Sequence, residues 1–470
     1  MQLSHGRSGM AASFTDPNLV SCGGLVPLVG LAERVGLRGL ADRQLTVAGG
    51  AGHQAGWKVS GLVAGMAAGA DSIADMDVLR HGGMGRLFDG IRAPSTLGTF
   101  LRSLQFGHVR QLDAVASRML IGLARHTPLL PGATKVMFVD IDDTMRQTYG
   151  YTKQGAGYGY TGVKGLNALI AAVSTPAAAP VIVAARLRKG SANSARGAAR
   201  LVADALATAR RCSPGLAGRP GETAGLVLLR ADSAYYQHAV VAAAGRAGAK
   251  FSITARKDRA VTAAIAGIDE GAWVPIRYPQ AVFDEQLQQW VSDAEVAETA
   301  FTAFTSRRRS EQVTGPLIGR RVRDANPDHV SIDAQGELFP AWRHHGVFTD
   351  SPLPLIDAEA CHRRHAIIEQ VIADLKNAPL AHLPCRRFAA NSAWLVLATI
   401  AFNLTRAAGC LTSAFHAKAT TATVRTQLID VPARITRSAR KSTLRLPQHW
   451  PWASAWTRLF TSACGPPAAG

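Results

Sequence analysis

This chain predicts an α/β fold, and three observations carry that reading. Strand-length runs of alternating apolar residues recur through its middle, with Ala-rich helical stretches between them. The first 130 residues instead repeat their apolar positions at helical spacing, and alternation returns around residue 300. With 470 residues and 47% hydrophobic side chains, there is material for two or three domains and a large core.

Helical periodicity covers Leu25–Leu40, Val59–Leu79 and Thr96–Leu123, broken by glycines such as Gly82-Gly83. Pro94 and Ser95 open the third helix, with Ser95 as its N-cap. Residues 1–130 are expected as a helical N-terminal domain, suited equally to gripping DNA ends or to forming a plain bundle. Val136–Asp142 then reads as a strand, and Asn167–Ser174 and Val181–Arg188 as two more, separated by the prolines of TPAAAP. Next come a helix over Ser194–Arg211, a strand over Leu226–Asp232, a helix over His238–Ala247 and a strand over Phe251–Ala255. Three strands, helix, strand, helix, strand is the order of a ribonuclease H-like domain, in which the first and fourth strands are neighbours.

The first part of that core is assigned to 131–257. A β-rich insertion follows over 258–350, where WVPIRYPQAVF, ETAFTAFTSRRR and Val347–Thr349 alternate like strands. The core resumes over 351–410 with a helix carrying Glu369. Phe388–Thr405 is uncharged, but Asn391, Ser392, Thr399 and Asn403 make it a buried helix rather than a membrane span. In the basic tail, 411–470, Arg434, Arg437, Arg440 and Lys441 recur at threes and predict one helix face. Trp450, Trp452 and Trp456 are expected to dock this helical tail on the body.

The chain carries 52 Lys+Arg against 33 Asp+Glu, a formal charge of +19. Such a balance favours a polyanionic partner, and the preponderance of Arg suits phosphate contacts. Arg307-Arg308-Arg309 and Arg320-Arg321 with Arg323 concentrate that charge and are expected to meet DNA phosphates. Six cysteines show no metal-site or disulfide spacing, so reduced thiols in a cytosolic, nucleoid-associated protein are expected.

Against this background the acids stand out. Val136 to Thr144 reads VMFVDIDDT; on a strand, Asp140 and Asp142 share one face while Asp143 points away and is expected to be dispensable. Two like charges on one face suit a cation between them, and Mg²⁺ needs only one or two carboxylates plus phosphate. Asp232 ends a second strand, and Glu369 shares a helix face with His365, Ile372 and Lys376. Three acids from two strands and a helix are the parts of a two-metal phosphoryl-transfer site: Asp142 bridging both ions, Asp232 holding one and Glu369 the other.

The sequence resembles the DDE-type insertion-sequence transposases of the cut-and-paste kind, specifically insertion-sequence family thirteen-eighty. The motifs that carry the resemblance run from about Ser60 to Trp456. They are FVDIDDT (138–144), YGYTKQGAGYGY (149–160), LRKGSANSARGA (187–198), RADSAYY (230–236), IRYPQAVFDE with SDAEVAETAFTAF, and HRRHAIIEQVIADLKNAPLAHLPCRRFAANSAW. The resemblance implies Mg²⁺-dependent (or Mn²⁺-dependent) cutting of double-stranded DNA at terminal inverted repeats, joining to target DNA, and a homodimer on DNA. Its last motif falls on His362, His365, Glu369 and Lys376. The acid and the lysine match, while histidines replace a tyrosine and an arginine that contact phosphate. Asp140 is implied as an auxiliary metal ligand, and Trp273, Trp290 and Phe304 as aromatics able to assist hairpin formation on the transposon end.

Two rivals use the same residues. Asp140-Ile-Asp142-Asp143-Thr144 fits the signature of haloacid dehalogenase-like phosphatases, with Asp140 as nucleophile and Asp142 as general acid. A non-catalytic DNA-binding protein would carry the same charge with structural acids.

Overall fold

Val136–Gln147 (β1) is apolar on both faces up to Val139, and Met137 to Ile141 are buried. A computed structural model of the chain describes residues 11–149, 152–217, 224–276, 282–284, 289–291, 294–323, 331–332, 338–339, 342–439 and 441–465. Among these, β1 pairs antiparallel with Lys164–Ser174 (β2), which pairs antiparallel with Val181–Lys189 (β3). On its other edge β1 pairs parallel with Leu226–Ala231 (β4), and β4 pairs parallel with Lys250–Thr254 (β5). Parallel neighbours need crossovers, which run through the helices Ala198–Cys212 and His238–Arg246.

The long strands of the segment expected as an insertion join this sheet. Ala294–Ala303 (β6), Val313–Arg323 (β7) and Trp342–Thr349 (β8) extend the same one, because β8 pairs antiparallel with the free edge of β5 through Val347, Phe348 and Thr349. The order is therefore β3, β2, β1, β4, β5, β8, β7, β6.

The N-terminal helices are Leu25–Val35 (α1), Leu37–Gln44 (α2), Ala55–Ala67 (α3), Pro94–Ser103 (α4) and Phe106–His126 (α5). Gly36, at φ +86°, supplies the left-handed residue that ends α1 and restarts the chain as α2. Ser95 is not an N-cap: Pro94 takes the first helical turn and Ala93 the cap position. The crossover helices are α6 (Ala198–Cys212) and α7 (His238–Arg246), followed by Leu355–Arg363 (α8), Ile367–Lys376 (α9) and Phe388–Cys410 (α10). α10 is long and apolar enough to cross a membrane by length and composition, yet 89% of its most apolar stretch is buried in protein. It is the centre of an apolar core that runs without a break from Val20 to Ala463.

The tail departs from expectation. Arg434 and Arg437 lie on a strand, Ala433–Ser438, which pairs with Lys441–Arg445 as a hairpin and with Leu19–Val20. Arg440 lies outside the described residues. Ala433 and Ile435 are the buried positions, a period of two that the recurring arginines conceal. Ala453–Cys464 (α11) then packs on α1, where Arg34 donates to the carbonyls of Ser462 and Gly465 at 2.6 Å each. Trp450, Trp452 and Trp456 pack around Val424, Leu428 and Val431.

Candidate active site

Asp142 and Asp232 each follow directly on the last register pair of the parallel neighbours β1 and β4, Asp142 within β1 and Asp232 just past the end of β4. Ile141 is in register with Ala231, so the two acids are the next residues on each chain, one strand spacing of roughly 5 Å apart. Asp142 Oδ1 accepts the Asp143 N–H at 2.7 Å. Asp232 caps a short 3₁₀ turn, Ser233–Tyr235, by accepting from the Ala234 N–H at 3.0 Å. Burial pushes the Asp142 carboxyl up to about 6, against the pull of the Asp143 N–H, and the negative charges of Asp232 and Asp143 add to the rise. Burial likewise raises Asp232, with Asp143 adding repulsion and His365 opposing it. Two carboxyls made costly to ionise side by side form a pocket that favours a cation.

The helical strip beside them comes from the opposite side of the fold's chain order. His365 sits in the 3₁₀ turn between α8 and α9, its Nδ1 3.2 Å from Asp140 Oδ1, and its charge is felt at both Asp142 and Asp232. Lys376, at the end of α9, is lowered by burial and by Arg146, while Asp142 supports its charge. Glu369 lies on the same strip of α9 as Lys376, two turns earlier, and is exposed. Among the described residues no three His, Cys, Asp or Glu side chains stand at metal-holding spacing. The structure thus brings Asp142, Asp232, His365 and Lys376 within electrostatic reach of one another, while Glu369 is exposed on α9.

Asp140 does something other than expected. It is fully buried, and Arg230, its register partner on β4, grips both its oxygens at 2.8 Å. Arg230 stacks on Phe138 with its guanidinium 4.3 Å from the ring centre and donates to the Cys361 carbonyl at 2.7 Å. With both oxygens engaged, Asp140 serves as the buried counter-ion of Arg230. The same burial removes it as a phosphatase nucleophile, which must reach its substrate. Asp143 does point to the other face, but it is not idle: it is the buried counter-ion of Arg188 at 2.6 Å.

Several residues expected at phosphate contacts have partners within the protein. His362 is buried, with Ser252 Oγ 3.0 Å from Nδ1 and Thr254 Oγ1 2.9 Å from Nε2; burial pushes it down to about 3, so it is a neutral tie between α8 and β5. Arg321 is 8% exposed and lies between Trp273 and Trp342, paired with Glu270 and Glu295. Arg320 pairs with the buried Glu359 at 3.3 Å. Both therefore hold the extended sheet together. Arg307, Arg308 and Arg309 are exposed in the turn after β6, Arg307 only 3.7 Å from Glu311 in a loose surface pair. The side chain of Trp290, and that of Arg323, lie outside the described residues, and Trp273 is committed to Arg321. Phe304 packs against Tyr236 with ring centres 5.1 Å apart.

Arg230, Arg188, Asn167 and Tyr235 had no role assigned from sequence. The one signal that could have found them was a charge at matching register on adjacent strands, Asp140 with Arg230 and Asn167 with Arg188. Tyr160, largely exposed, is a further neighbour: partial desolvation and then the charges of Asp143, Asp142 and Asp232 raise its hydroxyl.

A family model described as Transposase DDE domain group 1 matches residues 4–463. The chain belongs to this family. No curated protein matches it. Membership makes the transposase a DNA-binding enzyme that cleaves and transfers DNA strands, from a family that generally uses divalent metals. It also fits the mixed α/β architecture.

Proposed function

We propose that this transposase cuts and joins transposon ends at a DDE triad of Asp142, Asp232 and Glu369 on a ribonuclease H-like core, as a member of insertion-sequence family thirteen-eighty. The observation that carries the reading is the pairing of Asp142 with Asp232, side by side on neighbouring strands and both disfavoured as free anions. That donor set fits a divalent ion: hard carboxylate oxygens, partly exposed, with no thiolate among them. Asp142 and Asp232, completed by Glu369 from α9, would hold Mg²⁺, or Mn²⁺ in its place. When bound, such ions activate an attacking water or 3′-hydroxyl and neutralise charge on the phosphate.

The remaining work falls to the chain's own groups. Lys376 supplies a fixed positive charge beside Asp142 and is suited to a phosphate of the strand being cut. Asp140 orients His365 through Nδ1. Arg307–Arg309 would meet the duplex beyond the scissile bond. Capture of both terminal inverted repeats calls for a homodimer on DNA, working at the bacterial nucleoid and inserting into target duplex. The helices of 1–130 are suited to end recognition.

The test is strand cleavage on a duplex carrying the element's end. Asp142→Ala, Asp232→Ala and Glu369→Ala should each bind the end and fail to cut it. Normal cleavage by any of the three would remove that residue from the triad, and normal cleavage by all three would end the reading.

A further inference from the structure

Asp143, Asn167, Arg188 and Tyr235 come from β1, β2, β3 and the turn after β4, and the sheet gathers them behind the acid pair. All four are buried. Buried polar groups cost stability unless every donor and acceptor finds a partner. Here they do. Arg188 donates from Nη2 to Asp143 Oδ2 at 2.6 Å and from Nε to Asn167 Oδ1 at 2.9 Å. Its Nη1 reaches the carbonyls of Asn193, Ser194 and Arg196. Asn167 Nδ2 also donates to Asp143, and the Tyr235 hydroxyl donates to Asp143 Oδ1 at 3.2 Å.

An ion pair this deep is seldom more stabilising than apolar residues of the same volume, so what it contributes is geometry. The connections run directly to both acids. Asp143 gives its N–H to Asp142, while Tyr235 closes the turn that Asp232 caps, its own N–H on the Asp232 carbonyl at 3.2 Å. One hydroxyl therefore ties the strand bearing Asp142 to the turn bearing Asp232. We infer that Arg188, Asp143 and Tyr235 are positioning residues that fix the separation of Asp142 from Asp232, and so set how tightly a divalent ion is held between them. The inference rests on the triad reading above.

Tyr235→Phe removes a single oxygen. Mn²⁺ binding, measured by electron paramagnetic resonance or calorimetry on the full chain, should weaken by about tenfold or more, as for other residues that orient metal ligands. The Mg²⁺ concentration for half-maximal cleavage should rise in proportion. Metal-free binding to a transposon-end duplex and the thermal midpoint should stay close to the parent protein. Asp143→Asn, which keeps the size but loses the charge facing Arg188, should shift metal affinity in the same direction. Wild-type Mn²⁺ affinity in Tyr235→Phe would overturn the inference, as would losses in both variants that only track loss of folded protein. Failure of the triad reading looks different: Asp142→Asn and Asp232→Asn would then bind Mn²⁺ as the parent does.

Discussion

Arg230 holds both carboxylate oxygens of Asp140 at 2.8 Å, each side chain only 1% exposed, across adjacent parallel strands. The pair lies two residues before Asp142 and Asp232, with only the Ile141–Ala231 register pair between, so it fixes the platform on which Asp142 stands.

Removing one partner of such a pair leaves an uncompensated buried charge. Arg230→Met should destabilise the protein by about 3–5 kcal/mol, read as a shift in the urea midpoint. Asp140→Asn should also lower stability while leaving Mn²⁺ affinity within a factor of a few. A loss of metal binding matching that of Asp142→Asn would return Asp140 to the ligand set.

The acid pair carries a pH signature in the metal-free protein. Asp142 is pushed up to about 6 from an ordinary 3.8, so the folded state binds a proton that the unfolded chain releases at lower pH. Stability from this group is thus full below pH 4 and lost as pH rises to 6, on the order of 2 kcal/mol after allowing for solvent screening. Asp142→Asn should flatten that slope. Since the ion and the proton compete for one carboxylate, Mn²⁺ affinity should fall as pH drops through 6. A pH-independent affinity between about 5 and 7 would contradict this.

His362 behaves in the opposite sense. Its folded value is pushed down to about 3, so the unfolded chain takes up a proton below the ordinary 6.5 that the folded state refuses. Stability should fall by about 2 kcal/mol between neutrality and pH 5 from this group alone. In His362→Gln that loss should vanish from the urea midpoints, with end binding unchanged.

Charge that touches DNA should be separable from charge that holds the sheet. Alanine at Arg307, Arg308 and Arg309 together should weaken end binding and reduce its salt slope by about 0.9 for each phosphate no longer neutralised. Arg321→Ala should instead lower the thermal midpoint, because it empties the slot between Trp273 and Trp342. An unchanged salt slope in the triple variant would move the DNA face elsewhere.

Alternating apolar residues and short-range turns made much of the architecture legible. The strands around Asp142 and Asp232, the crossover helix at 198–212 and the buried helix Phe388–Cys410 all follow from periodicity that a single segment contains. What periodicity does not contain is register. Asp140 and Arg230 are 90 residues apart, and only the parallel pairing of β1 with β4 puts them face to face. His362 likewise takes its character from Ser252 and Thr254, more than a hundred residues earlier. Arg434 and Arg437 misled for a different reason: a spacing of three fits a helix face, while the buried residues of the same strand, Ala433 and Ile435, keep a period of two. Glu369 could be placed on its helix strip from sequence, but its reach toward the acids depends on how α9 seats on β1.

The pairing of Leu19–Val20 with Ala433–Arg434 has a consequence for how the protein is made. That early strand must wait for a partner synthesised more than four hundred residues later, and α1 waits still longer for α11. During translation the early helices therefore leave the ribosome with apolar faces uncovered, a state prone to aggregation and to proteolysis. Polypeptides stopped before residue 433 should accumulate poorly in cells, so that only completed translation yields long-lived enzyme.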